Sequence, residues 1–489
     1  MRVALLPLDD RPCHTRFPAR LAEAAGIELL LPPREMLGWF DRPGDADGLL
    51  DWLAGVAPRV DGIGVCLEML TCGGLVASRR PDTPAAVVAA RLDRLGDVLR
   101  TVQGPTLLGS VIMRATITVI GDQSTDAYAL VARYAELRPS ADTGNVEAAE
   151  EVRSIVAALP AGLLDAYLEA RRRNHSANLR AVDLVKQGAA SGLILTQEDC
   201  RPRGIHRAEQ EALRSRAEPL GPRVLIHPGA DELSVVLLAR VAAEVADHRP
   251  TARVAILPRS SEETIAPFED APIRETVLGQ AAASGLSWTD DPRAPQLLVI
   301  GPIEQPTDLS GDDYGGAVPP DDLAWINEFG AAAAHGSGSP VVVADTAVAN
   351  GAYLPAFRYL RGSEVWERCH SYIGWNTAGN TVGTATAILS LLPLMDEPMD
   401  RLRRFRLERL MDDVAYQSVV RRTLVEWIRA RGEDPHRMTP GGARAAEAWL
   451  AGELRQAAEE LDVAPSGLRW WIKLPWDRAF ECDVEWLGG

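Results

Sequence analysis

RVLIHPGADEL, residues Arg223–Leu233, begins with an apolar run, Val224–Ile226, and ends on two adjacent acids, Asp231 and Glu232. The run reads as a buried strand, and His227, Pro228 and Gly229 break it just before the acids. Parallel α/β folds bind ligands at the carboxyl ends of their strands, so acids placed there are candidates for chemistry that acids on a helix surface are not. The same pattern recurs outward in both directions. Val3–Leu8 ends in Asp9, Asp10 and Arg11, Gly62–Leu67 ends at Glu68, and Thr106–Met113 ends at Arg114. Gly192–Thr196 ends in Gln197, Glu198 and Asp199, and Val254–Leu257 in Pro258 and Arg259. Leu297–Ile300 stops at Gly301, Val341–Ala344 at Asp345 with Asn350 close behind, and Ser371–Ile373 at GWNTAGNTVG, Gly374–Gly383.

Roughly eight or nine short apolar strands separated mostly by helical spacing are the mark of a parallel α/β fold. Polar groups at nearly every strand end favour a (β/α)8 barrel of the TIM type over residues 1–395, with an open doubly wound sheet as the alternative. Neither G-x-G-x-x-G nor G-x-x-x-x-G-K-[ST] stands at a strand-to-helix turn, so a dinucleotide or P-loop site is not expected. Residues 124–190 read as a helical insertion between strands, and 396–489 as a helical C-terminal domain closing on RWWIKLPWDRAF. Trp470, Trp471 and Trp476 in that closing segment are expected to pin the terminus to the core rather than stack on a ligand.

The chain has 489 residues and a formal net charge of -17, which argues against nucleic acid as a partner because phosphate recognition needs clustered Lys and Arg. Its six cysteines include no C-x-x-C pair, so neither a disulfide framework nor a zinc knuckle is expected. No apolar stretch is long enough to span a bilayer, and the start lacks a signal-peptide pattern. The expectation is a cytoplasmic protein with no membrane partner and no cofactor.

Paired acids suit glycoside hydrolysis, which needs a proton donor for the leaving oxygen and a group that stabilises positive charge at the anomeric carbon. Neighbouring side chains cannot divide those roles across a sugar ring. Substrate-assisted cleavage removes that difficulty, because the 2-acetamido oxygen of the sugar is the nucleophile while one acid orients it and the other protonates the leaving group. The competing reading is a helix cap, with Asp231 and Glu232 at the start of the helix that follows.

His227-Pro-Gly229-Ala-Asp231-Glu232 resembles the H-x-G-x-D-E segment of the TIM-barrel β-N-acetylhexosaminidases, departing at Ala230 where a second Gly is usual. That resemblance implies Asp231 as the acetamido-orienting residue and Glu232 as the acid. The chain as a whole resembles a bacterial family catalogued as a domain of unknown function. The shared segments are LPLDDRP (Leu6–Pro12), GGLVASR (Gly73–Arg79), TQEDCRPRG (Thr196–Gly204), PGADE (Pro228–Glu232) and GWNTAGNTVGT (Gly374–Thr384). Glu198–Asp199 stands where two Asp are expected. The family resemblance gives no reaction by itself; the hexosaminidase-like segment and the barrel reading together imply an exo-acting, retaining β-N-acetylhexosaminidase that proceeds through an oxazoline, with N-acetylgalactosamine the favoured glycone and a small glycan ending in N-acetylhexosamine as the partner.

The remaining polar tips form the expected binding set. Asp9, Asp10, Arg11, Glu198, Asp199 and His227 offer acceptors and donors to ring hydroxyls. Asn350 belongs to the same binding set, and Tyr372, Trp375, Asn376 and Asn380 are expected around the acetamido group, although Asn376 and Asn380 also suit turns and caps. No metal is expected, since H-x-H and H-E-x-x-H are both absent. A metal-dependent hydrolase using Asp9, Asp10, His227 and Asp231 stands as one alternative, and a noncatalytic sugar-binding protein as another.

Overall fold

The computed structural model describes residues 1–121, 124–303, 338–465 and 467–488. The chain parts into two compact units, residues 1–248 with 268–270, and residues 249–267 with 271–489.

In the first unit the strands are β1 (Arg2–Leu6), β2 (Glu28–Leu30), β3 (Gly62–Cys66), β4 (Thr106–Ile112), β5 (Gly192–Gln197) and β6 (Val224–Pro228). The helices are α1 (Arg16–Ala24), α2 (Ala46–Val56), α3 (Leu67–Cys72), α4 (Leu75–Ser78), α5 (Ala85–Leu99), α6 (Thr125–Asp142), α7 (Val146–Ala158), α8 (Leu163–Lys186), α9 (His206–Ala217) and α10 (Leu233–Val245). The six strands form one parallel sheet in the order β2-β1-β3-β4-β5-β6. Every residue of β3, β4 and β5 is buried, which is why these strands read as unbroken apolar runs. Helices α6 to α8 occupy the interval between β4 and β5.

The expected closed (β/α)8 barrel is not shown among the described residues. The described strands lie in open sheets, with β2 and β6 at the two edges of the first. Strand–helix alternation is common to both architectures, and only the edge to which each crossover returns separates them. Here the chain places β2 on one side of β1 and β3 on the other. That reversal makes the carboxyl ends of β1 and β3 the topological switch point, the crevice where doubly wound sheets bind ligands.

Helix α10 decides what reaches that crevice. Residues Leu233–Ala239 are buried all round, as expected of a helix packed on a sheet with little solvent-facing surface. Glycines on the strands give it a seat: a Cβ at Gly109 would stand 2.9 Å from the Leu233 and Leu237 side chains, and one at Gly62 would stand 2.6 Å from Val241 Cγ1. So α10 lies over β1, β3 and β4, and the loop after β6 carries Asp231 back toward β1. Gly109→Ala is expected to overpack this seat and cost about 1–3 kcal/mol, read as a lowered urea midpoint.

In the second unit β7 (Thr251–Leu257), β8 (Ser287–Trp288), β9 (Gln296–Ile300), β10 (Val341–Asp345) and β11 (Cys369–Ile373) form a second parallel sheet, in the order β11-β10-β9-β7-β8. Its reversal falls between β7 and β9. Helix α11 (Ile273–Ala283) and the helix Ala378–Leu391 belong to this unit. The helices after residue 397 share one apolar core with its strands, Leu410, Met411, Leu450 and Leu454 lying in the same cluster as Leu298 and Val343. An antiparallel pair, β12 (Trp470–Lys473) and β13 (Asp483–Trp486), ends the chain. Trp476 is buried and Trp470 packs against that core, while Trp471 is 40% exposed.

Among the described residues no helix is long and apolar enough to cross a membrane. All six cysteines are buried free thiols.

Candidate active site

Asp9 and Arg11 leave the tip of β1, and Asp231 arrives on the loop before α10. Arg11 Nη1 and Nη2 donate to Asp231 Oδ2 and Oδ1 at 3.1 and 2.6 Å. The same guanidinium donates through Nε and Nη2 to Asp9 Oδ2 at 3.0 and 2.7 Å, and the Arg11 backbone N–H donates to Asp9 Oδ1 at 3.0 Å. All three side chains are buried. One planar guanidinium thus bridges two carboxylates, a geometry that a lysine ammonium does not offer. His14 closes the group, with Nε2 3.5 Å from Asp231 Oδ1 and Nδ1 3.0 Å from Ser234 Oγ. Burial alone would raise the Asp231 pKa, but Arg11 and His14 outweigh it and hold the carboxyl well below the usual carboxylate range.

Glu232 is buried beside this group, and its Oε2 accepts the Ala230 backbone N–H at 2.7 Å. The adjacent His227 is also buried; its Nδ1 stands 3.0 Å from the Pro228 carbonyl oxygen, and Nε2 has no partner among the described residues. Burial pulls the His227 pKa down to about 4 against that hydrogen bond, so the ring is neutral at ordinary pH. Asp10 is buried, with Arg34 Nη2 3.9 Å away.

A second ionic group lies at the tip of β5. Glu198 pairs with Arg79, and Asp199 with Arg114. Burial lowers Arg79 to about 10, and the charges it feels include Glu198, Asp231 and Arg11, so the two groups share one field. Sequence reasoning passed over Arg79, although it closes the segment GGLVASR.

Glu68, just past the tip of β3, reads in the sequence only as a strand end. Its Oε1 accepts the Val111 N–H at 2.7 Å and lies 2.8 Å from Ser110 Oγ, while Oε2 is buried without a hydrogen-bond partner among the described residues. Burial pushes its pKa up to about 7 against the bonds from Val111 and Ser110. Ser110 has a single hydroxyl proton and also faces Asn178 Oδ1 at 2.6 Å, whose amide nitrogen already donates to the Val111 carbonyl. A proton on Glu68 satisfies both Ser110 contacts. The switch point therefore holds one carboxyl kept ionised and another that keeps its proton to near neutrality.

The residues expected around an acetamido group all lie in the second unit. Tyr372 is wholly buried and donates its hydroxyl to Asp345, which also accepts the Tyr353 N–H at 2.6 Å. Burial pushes Asp345 up to about 6. Trp375 and Asn380 are buried, and the Asn350 N–H donates to the Asn376 carbonyl at 2.9 Å. Asn350 and Asn376 both take left-handed backbone conformations, φ 57° and 60°, which Asn tolerates better than other non-glycine residues. The π-helical segment Leu410–Val420 organises this end: Asp413 Oδ2 accepts the Gly374 N–H at 2.9 Å, and its Oδ1 accepts Arg409 Nη1 at 2.9 Å.

For metal, Asp9, Asp10, His227 and Asp231 do not assemble a mutual ligand set among the described residues. Cys200, His206 and Asp270 do, with donor atoms all within 4.8 Å of one another.

Fold and site together define a doubly wound α/β protein whose polar centre is a buried carboxylate–guanidinium cluster at the carboxyl end of a parallel sheet. More particularly, the chain belongs to the family described as "Protein of unknown function (DUF4127)", whose model matches residues 3–485. No curated protein and no solved structure matches the chain.

Proposed function

We propose that the protein is a glycoside hydrolase, an exo-acting β-N-acetylhexosaminidase with N-acetylgalactosamine as the favoured glycone, working with retention through an oxazoline. The observation that carries this reading is the state of Asp231, a carboxylate at a strand end held ionised by Arg11 and followed directly by a second buried acid. In this mechanism the substrate acetamido oxygen attacks the anomeric carbon, and the glycosidic C–O bond breaks as Glu232 gives its proton to the leaving oxygen. Asp231 accepts the acetamido N–H and balances the positive oxazolinium. Water then attacks the same carbon, losing its proton to Glu232, and the ring opens to the N-acetylhexosamine.

The test is p-nitrophenol release from the β-linked N-acetylgalactosamine, N-acetylglucosamine, galactose and glucose glycosides. Turnover is expected from the acetamido sugars alone, falling by about 10²–10⁴-fold in Glu232→Gln and by a comparable factor in Asp231→Asn. Activity on galactoside or glucoside, or activity that survives both substitutions, returns the Asp–Glu pair to a helix-start role.

A further inference from the structure

TQEDCRPRG contributes more than the ion pairs of Glu198 and Asp199. Six residues past Cys200 the chain reaches His206, the first residue of α9, and the short segment 268–270 of the same unit brings in Asp270. The thiol, the imidazole and the carboxylate are all buried, with donor atoms within 4.8 Å of one another. His206 is wholly buried, and among the described residues neither ring nitrogen makes a hydrogen bond of ordinary length; Nε2 stands 3.5 Å from Asp270 Oδ2, longer than an ordinary N–H···O bond. A buried imidazole with one nitrogen only loosely paired to Asp270 and the other unpaired among the described residues is costly unless something else occupies a lone pair.

The surroundings are built to hold these groups still. Asp270 Oδ2 accepts Arg207 Nη1 and Gln210 Nε2, both at 2.7 Å, which orients the carboxylate as the outer contacts of a metal ligand do. The Cys200 N–H donates to the Phe268 carbonyl at 3.0 Å, tying the two chain segments together. Gly204, at φ 152°, lets the backbone pass His206, since a Cβ there would stand 3.0 Å from Nδ1.

We propose that Cys200 Sγ, the His206 imidazole and the Asp270 carboxylate bind one borderline-soft divalent cation, zinc foremost. A thiolate, an imidazole and a carboxylate are zinc donors, whereas calcium and magnesium take oxygen alone. Bond lengths of about 2.0–2.3 Å set tetrahedral donors roughly 3.5 Å apart, so closure around the ion needs movements of about 1 Å. Binding forms a metal–sulfur bond and releases the thiol proton to solvent. Three protein donors leave a fourth position for water.

The full-length protein, stripped with chelator and desalted, is titrated with Co²⁺ alone. Wild type is expected to saturate at one equivalent with a thiolate-to-cobalt charge-transfer band in the near ultraviolet, which Zn²⁺ displaces. Cys200→Ser should abolish the band and Asp270→Asn weaken binding at least about tenfold, while Cys369→Ser, in the second unit, leaves both intact. Pulsed alkylation of wild type needs no variant: Zn²⁺ should slow modification of Cys200 alone among the six thiols. A band absent from wild type, one that survives Cys200→Ser, or alkylation of Cys200 indifferent to Zn²⁺ overturns the site and leaves a buried His–Asp pair beside a bystander thiol.

Discussion

Arg11→Met is expected to destabilise the first unit by about 3–5 kcal/mol, measured as the fall in unfolding free energy from urea titrations near pH 7. The reason is what the substitution leaves behind. Asp9 and Asp231 are buried, and both use Arg11 as counter-ion, so removing the guanidinium exposes two carboxylates to each other in a poorly solvated place. Methionine keeps the apolar stem and isolates the loss of charge. The triple variant Asp9→Asn, Arg11→Met, Asp231→Asn removes the stranded charges as well and should regain most of the loss. Arg11→Lys keeps the charge but not the fork, and should fall between wild type and Arg11→Met. The sign with pH follows from Asp231, whose folded pKa lies below its ordinary value of 3.8. Its contribution is full above the unfolded pKa and is lost as pH falls through the folded one. Wild type should therefore lose its advantage over Arg11→Met on acidification. A free-energy difference that stays within about 0.5 kcal/mol of zero at neutral pH would show that the three groups are not an energetic unit.

The residues of this cluster were legible one by one and illegible as a cluster. Asp9, Arg11, Asp231 and Glu232 are legible as polar groups at strand ends, because apolar runs that stop at charges are a local signal. That Arg11 meets Asp231 is a contact across 220 positions, decided by where α10 lies, and that depends on glycines at Gly62 and Gly109 whose neighbours are remote in sequence. The strands themselves were visible, Val224–Ile226 falling inside β6 and Gly192–Thr196 inside β5. Their closure was not, since one short strand, β2, paired on the far side of β1 separates an open sheet from a barrel. Cys200 and His206 form no familiar motif at their spacing, and Asp270 joins them from 64 residues beyond His206. Glu68 escaped for another reason: the letters place it at a strand end, but its depth and its company at Ser110 and Asn178 are tertiary facts.

Glu68 carries the second large effect, a pH-dependent one. Its folded pKa is raised from 4.5 to about 7, so between those values the native state holds a proton that the unfolded state has lost. Stability from this group is fully present below about pH 4.5, falls as pH rises through the window, and is gone above about pH 7. At about 1.36 kcal/mol per unit, the displacement corresponds to about 3 kcal/mol. Glu68→Gln has no proton to lose, and its amide oxygen still accepts the Val111 N–H. Any cost of burying the new NH2 is the same at every pH, so it cancels when the variant is compared with itself across the range. The difference in unfolding free energy between Glu68→Gln and wild type should therefore shift by about 3 kcal/mol in favour of the variant between pH 4.5 and pH 8. Other shifted acids, Asp345 and Asp413 among them, titrate alike in both proteins and drop out of the difference. A flat difference across that range would mean that Glu68 ionises as freely as in water, and the switch point would then hold no neutral carboxyl. If the difference moves as expected, glycosidase activity adds a separate question. An alkaline limb near pH 7 that disappears in Glu68→Gln with turnover retained would make Glu68 a positioning group whose ionisation disturbs Asp231. A limb that persists unchanged would place the titrating acid elsewhere.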